Sequence, residues 1–136
     1  MKYLPIALIA VLFASCAVIP AFDVPGCTSP EDAGAWIDLN IKYQNTDGII
    51  DSPSDTVARG DGNCIDKALL CLAMVSQSVG IEGKLIMYKT PYGDHATAQF
   101  DGFEFGYIEG SRQVGRPFSY RDAMSLIGKS NQLMVW

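Results

Sequence analysis

The chain has 136 residues, enough for one domain with its own core and too few for two. A net charge of −5 with scattered acids excludes the basic face that nucleic acid needs. Composition is ordinary for a globular chain, without low-complexity tracts or internal repeats.

Lys2 precedes an apolar run from Tyr3 to Phe13, too short to span a bilayer and the right length for a secretory signal. The run ends in Phe13-Ala14-Ser15-Cys16. Small residues directly before a cysteine resemble a bacterial lipobox, whose cysteine is lipidated after cleavage, although Phe13 stands where an aliphatic residue is usual. The competing readings are cleavage after Ala17 or Ala21, or an uncleaved anchor. Residues 1–21 are therefore expected to be a signal peptide and residues 22–136 the folded domain. The protein is expected to be exported, as a membrane-anchored lipoprotein through lipid at Cys16, or as a periplasmic or secreted protein.

Ser29-Pro30-Glu31-Asp32 is a helix start, with a capping serine, proline at the first helical position and an acid at the third. Ala33, Trp36, Ile37 and Ile41 then mark one helical face, to about Tyr43. Gln44–Ile50 reads as a loop, and Ser52-Pro53-Ser54-Asp55 repeats the capping chemistry before a short helix ending near Arg59.

Next comes the stretch from Arg59 to Gly80. A glycine-rich polar approach, Gly60-Asp61-Gly62-Asn63, runs into Cys64, and an apolar run continues to Val79. Ile65, Ala68, Leu69, Leu72, Val75 and Val79 recur at helical spacing, with Cys71, Ala73 and Met74 on the other side. This is the pattern of a helix buried on most faces. Asn63 or Asp61 can cap its start and Gly80 can stop it. Cys64 falls in the first turn, where free backbone N–H groups and the helix dipole favour a thiolate, so it is a candidate nucleophile. The alternative is a small apolar residue beginning a core helix.

Beyond Gly80 the period changes. Lys84–Thr90 reads as a strand, Pro91-Tyr92-Gly93 as a turn and His95–Phe100 as a second strand. Asp101-Gly102 is a hairpin turn and Phe103–Glu109 a third strand. Ser119-Tyr120-Arg121-Asp122 opens a last helix to about Ile127, and Gln132–Trp136 can form an edge strand. Helices followed by an antiparallel meander predict an α+β fold, with the helices packed on a small antiparallel sheet.

A thiol nucleophile needs a base within reach and a third group to orient that base. His95 is the chain's one histidine, and Glu109, across the Asp101-Gly102 hairpin, is the leading orienting acid. Register decides the matter. A two-residue turn pairs His95 with Ile108 and turns Glu109 to the other face, whereas a three-residue loop or a bulge brings Glu109 opposite His95. Asp94 adjoins His95, but strand neighbours point opposite ways. With Cys64 as a working thiol, Cys27 and Cys71 are left either to pair or to stay free, and sequence alone does not choose.

The segments from Ser52 to Ile81 and from Gly93 to Gly110 resemble the transglutaminase-like superfamily, and most closely its small exported bacterial branch, the transglutaminase-like cysteine peptidases. The likeness runs from about Asp51 to Gly110. It implies a papain-like α+β core, with Cys64 as nucleophile, His95 as base, Glu109 as acid and Asp66 as second acid of the cysteine motif. Asn63 replaces the aspartate usual before the cysteine, where members build a calcium site from acids. Glu109 stands where aspartate is usual, and no oxyanion-hole asparagine or tryptophan is identifiable. No cofactor or metal is otherwise expected. The resemblance implies a thiol hydrolase of peptide or amide bonds in a protein or peptide substrate. The rival readings are an acyl-transferring transglutaminase and a non-catalytic binding or structural protein with the same fold.

Overall fold

A computed structural model describes residue 19, residues 21–45 and residues 48–131. Residues 1–18, with Cys16, on which the expected signal falls, and the expected edge strand 132–136 lie outside the described residues. The chain is tied into the fold at Phe22, whose N–H donates to Gln77 Oε1 (2.6 Å) and whose carbonyl accepts from Gln77 Nε2 (2.9 Å).

Four α-helices begin in one way. Helix α1 (Pro30–Asn40), α2 (Pro53–Arg59), α3 (Cys64–Val79) and α4 (Tyr120–Met124) are capped by Ser29, Ser52, Asn63 and Ser119. Each cap side chain accepts from the N–H of an aspartate at the third position: Asp32, Asp55, Asp66 and Asp122. The cap satisfies a backbone donor left free in the first turn, and the carboxylate sits at the positive end of the dipole. Helix α3 stops at Gly80, whose φ of +77° glycine adopts without a Cβ penalty.

The four-stranded sheet runs in the order β5 (Phe103–Phe105), β4 (Gly93–Phe100), β3 (Lys84–Thr90), β6 (Arg112–Gln113), with every pairing antiparallel. Ala96, Ala98 and Phe100 of β4, with Leu85 and Met87 of β3, turn one face into the core against α3. The helix contributes Leu69, Leu70, Leu72 and Met74, all fully buried. The fold is thus α+β, with helices on one face of a small antiparallel sheet.

Three expected elements end earlier than the sequence predicts. Helix α1 stops at Asn40 rather than near Tyr43, because β1 (Lys42–Tyr43) pairs in parallel with β2 (Asp61–Gly62). The last helix ends at Met124 rather than Ile127, and turns carry the chain on to Gly128. The third strand stops at Phe105 instead of reaching Glu109, because Gly106 has a φ of +86°, which turns the chain out of the extended region.

Candidate active site around Cys64 and His95

The approach to Cys64 is held by one buried carboxylate. Asp66 is fully buried, and its Oδ2 accepts from the Asn63 N–H (3.1 Å) while its Oδ1 accepts from the Asp51 N–H (3.0 Å). The first bond closes a reciprocal capping box with Asn63, and the second ties in the loop before α2. Gly62 has no room for a side chain, since a Cβ there would lie 2.8 Å from Asp66 Cβ and 3.2 Å from Thr56 Cγ2. The β1–β2 pair flanks this approach, with Gln44 N–H donating to the Gly62 carbonyl (3.0 Å).

Cys64 is the first residue of α3 and is partly buried. Its thiol is pushed above the ordinary cysteine range, mainly by burial. The backbone N–H groups of Ala96, Ile65 and Cys64 itself pull the other way, and the Asp66 charge adds to the rise. The helix start therefore does offer the donors expected of it, but burial outweighs them, and the resting group is a neutral thiol.

His95 lies on β4, directly opposite Tyr88 of β3, and is partly buried. Its Nε2 is 2.6 Å from the Gly106 carbonyl. A carbonyl can only accept, so Nε2 carries the proton and Nδ1 is left as the acceptor. Ala96 follows His95 and points its N–H at the Cys64 sulfur, which brings thiol and imidazole to neighbouring positions of one strand. No direct hydrogen bond joins them among the described residues. The register explains why the Ala96 N–H is open to the thiol. The Phe100↔Phe103 and Ala98↔Phe105 pairs direct the N–H groups of even-numbered β4 residues toward β5. The next such group, that of Ala96, is left open for sulfur because β5 has already ended.

The structure does not bring Glu109 to His95. The hairpin uses the two-residue turn, pairing Phe100 with Phe103, so the ladder continued would set Ile108 against His95. Past Gly106 the chain leaves the ladder, and Glu109 sits exposed in a turn with no hydrogen bond or ion pair among the described residues. Asp94 is turned to Lys89 Nζ (2.6 Å). The two backbone groups that matter, the Gly106 carbonyl and the Ala96 N–H, carry no side-chain signature. The one available hint was a glycine inside a strand-like run, which often marks a strand's end or a bulge.

The acids near the cysteine do not fit calcium. Both Asp66 oxygens accept from backbone N–H groups, and Asp51 and Asp61 are paired with Arg59 at 2.7 and 3.0 Å. No group of three or more metal-binding side chains occurs among the described residues. Cys27 and Cys71 are free thiols. The Cys27 thiol and N–H engage Ser78, seven residues along α3 from Cys71, or about 10 Å of helix. Burial raises the Cys71 thiol far above its usual range. No family model and no curated protein matches the chain.

Proposed function

We propose that the chain is an exported, transglutaminase-like cysteine hydrolase with a papain-like core, acting on peptide or amide bonds. One observation carries this reading: a helix-start thiol under three backbone N–H groups takes one of them from Ala96, the residue after a histidine whose Nε2 is already engaged, leaving Nδ1 free to take a proton. In the reaction, His95 Nδ1 removes the Cys64 proton as sulfur attacks the substrate carbonyl. The Cys64 N–H stabilises the oxyanion. The imidazolium then protonates the leaving amine, and His95 activates water to release the acyl group as a carboxylic acid. An amine in place of that water gives acyl transfer by the same steps. Because burial keeps the thiol neutral, the proton moves during attack rather than in a resting ion pair. Bonds of this kind are commonly long without substrate and tighten in the complex.

The sequence pattern nominates Glu109 as the third member; the geometry supports the Gly106 carbonyl in that role. Glu109→Gln is accordingly expected to change turnover of a peptide amide by only about twofold, the scale of a surface substitution. A loss of about 10²-fold or more would return Glu109 to the triad.

A non-catalytic binding protein is the second reading, favoured by the neutral thiol and the absent thiol–ring bond among the described residues. Alkylation of Cys64 by iodoacetamide, followed residue by residue by mass spectrometry, separates the two. At pH 7 the wild type is expected to react about tenfold faster than His95→Gln, because the ring accepts the thiol proton. Equal rates would remove His95 as base and leave the binding protein.

A further inference from the structure

The sheet face that carries His95 also carries a hydrogen-bonded group that the proposed reaction does not use. Side chains alternate along β4, so His95, Thr97 and Gln99 share the face turned away from the core, as do Tyr88, opposite His95, and Glu104, opposite Gln99. The Glu104 carboxylate accepts three hydrogen bonds there. Tyr88 Oη donates to Oε2 (2.6 Å), Thr97 Oγ1 donates to the same oxygen (2.9 Å), and Gln99 Nε2 donates to Oε1 (2.9 Å). Thr97 is fully buried and Tyr88 nearly so, which makes these bonds costly to lose. Burial, and then the Glu104 bond, push the Tyr88 hydroxyl up to about 12, so it keeps its proton and remains the donor.

The Tyr88 ring in turn meets Tyr107 edge to face, with centroids 5.7 Å apart and planes at 76°. Tyr107 follows Gly106, and Glu104 precedes it by two residues. The glycine whose carbonyl holds His95 is therefore gripped on both sides. Glu104 anchors the chain before it through three bonds, and Tyr88 anchors the chain after it through an aromatic contact. Without those anchors a glycine at φ +86° has wide freedom to rotate, and its carbonyl would leave the ring.

We propose that Glu104 and Tyr88 are positioning residues that clamp the Gly106 turn so that its carbonyl fixes the His95 ring with Nδ1 free. The clamp deepens the hydrolase reading and rests on it for its effect on turnover, although its effect on the ring does not depend on catalysis. The role is geometric, not one of charge. A glutamine at 104 can accept from Tyr88 and Thr97 and, with Gln99 turned over, donate to the Gln99 oxygen, so Glu104→Gln keeps the clamp.

Nitrogen-15 NMR of the full chain tests this, since a single histidine makes the ring signals unambiguous. A ring N–H held by a carbonyl is seen as a protected proton signal, whereas a free one exchanges too fast to observe. The signal is expected in the wild type and in Glu104→Gln, and lost in Glu104→Ala and in Tyr107→Ala, which removes the aromatic contact. Cys64 alkylation at pH 7 should slow in step with the loss. Tyr107 is exposed, so Tyr107→Ala leaves the core intact and carries the test if Glu104→Ala fails to fold. A ring signal unchanged in Tyr107→Ala and in folded Glu104→Ala would overturn the clamp even if turnover fell. Loss of the signal in Glu104→Gln as well would show that charge, and not geometry, holds the ring, and would overturn it too. Failure of the hydrolase reading shows elsewhere, as equal alkylation in wild type and His95→Gln with the ring signal intact.

Discussion

Cys64→Ala is expected to abolish hydrolysis of any peptide amide that the wild-type chain turns over, a fall of about 10⁴-fold or more, because the acyl intermediate of the proposed reaction forms on its sulfur. The fold should survive. The substitution removes one sulfur at the first position of α3 and leaves the Asn63–Asp66 capping box intact. The sulfur's three backbone donors lie at a partly buried site, and a change there costs about 1 kcal/mol. Turnover and thermal unfolding measured on the same purified sample check both halves. Retained turnover would take the nucleophile away from Cys64. Of the other described cysteines, Cys27 is bonded to Ser78 and Cys71 is buried in the core, so neither offers a ready replacement.

Local chemistry written in adjacent residues was legible. The Ser–Pro and Asn–Cys helix starts, the Gly80 stop, the strand at Lys84–Thr90 and the presence of a hairpin at Asp101-Gly102, though not its loop length, all follow from capping, period and turn preference. So did the placing of Cys64 at a helix start and His95 on the strand packed against that helix. What was not legible depends on backbone direction and burial. The choice between Glu109 and another partner for His95 turned on the conformation of one glycine, and the acceptor supplied by Gly106 is a carbonyl that every residue possesses. The charge state of Cys64 turned on how deeply the helix start is covered, which no first-turn argument contains. The parallel β1–β2 pair joins segments about twenty residues apart, each only two residues long, too short for any period to announce.

The largest effect on stability is expected from Asp66, which the resemblance names as the second acid of the cysteine motif without giving it a structural role. Asp66→Ala removes the acceptor for two backbone donors, the N–H groups of Asn63 and Asp51, at a fully buried position. Each buried donor left without a partner costs about 1–3 kcal/mol, so the loss should be about 3–5 kcal/mol, a large share of the stability of a domain this size. Asp66→Asn should cost less. Its one oxygen can still accept from a single N–H, while its amide nitrogen faces the other donor with nothing to accept. Urea unfolding followed by circular dichroism should therefore rank the wild type above Asp66→Asn and Asp66→Ala last. The same bonds hold the residues on either side of Cys64, so at urea concentrations where the variants remain folded their Cys64 alkylation rates should already differ from wild type. Glu109→Gln, changed at an exposed turn, should match wild type in both measurements. If Asp66→Ala unfolds within about 1 kcal/mol of wild type, the carboxylate is not what holds the approach to Cys64, and the geometry of the nucleophile must rest on the β1–β2 pair instead.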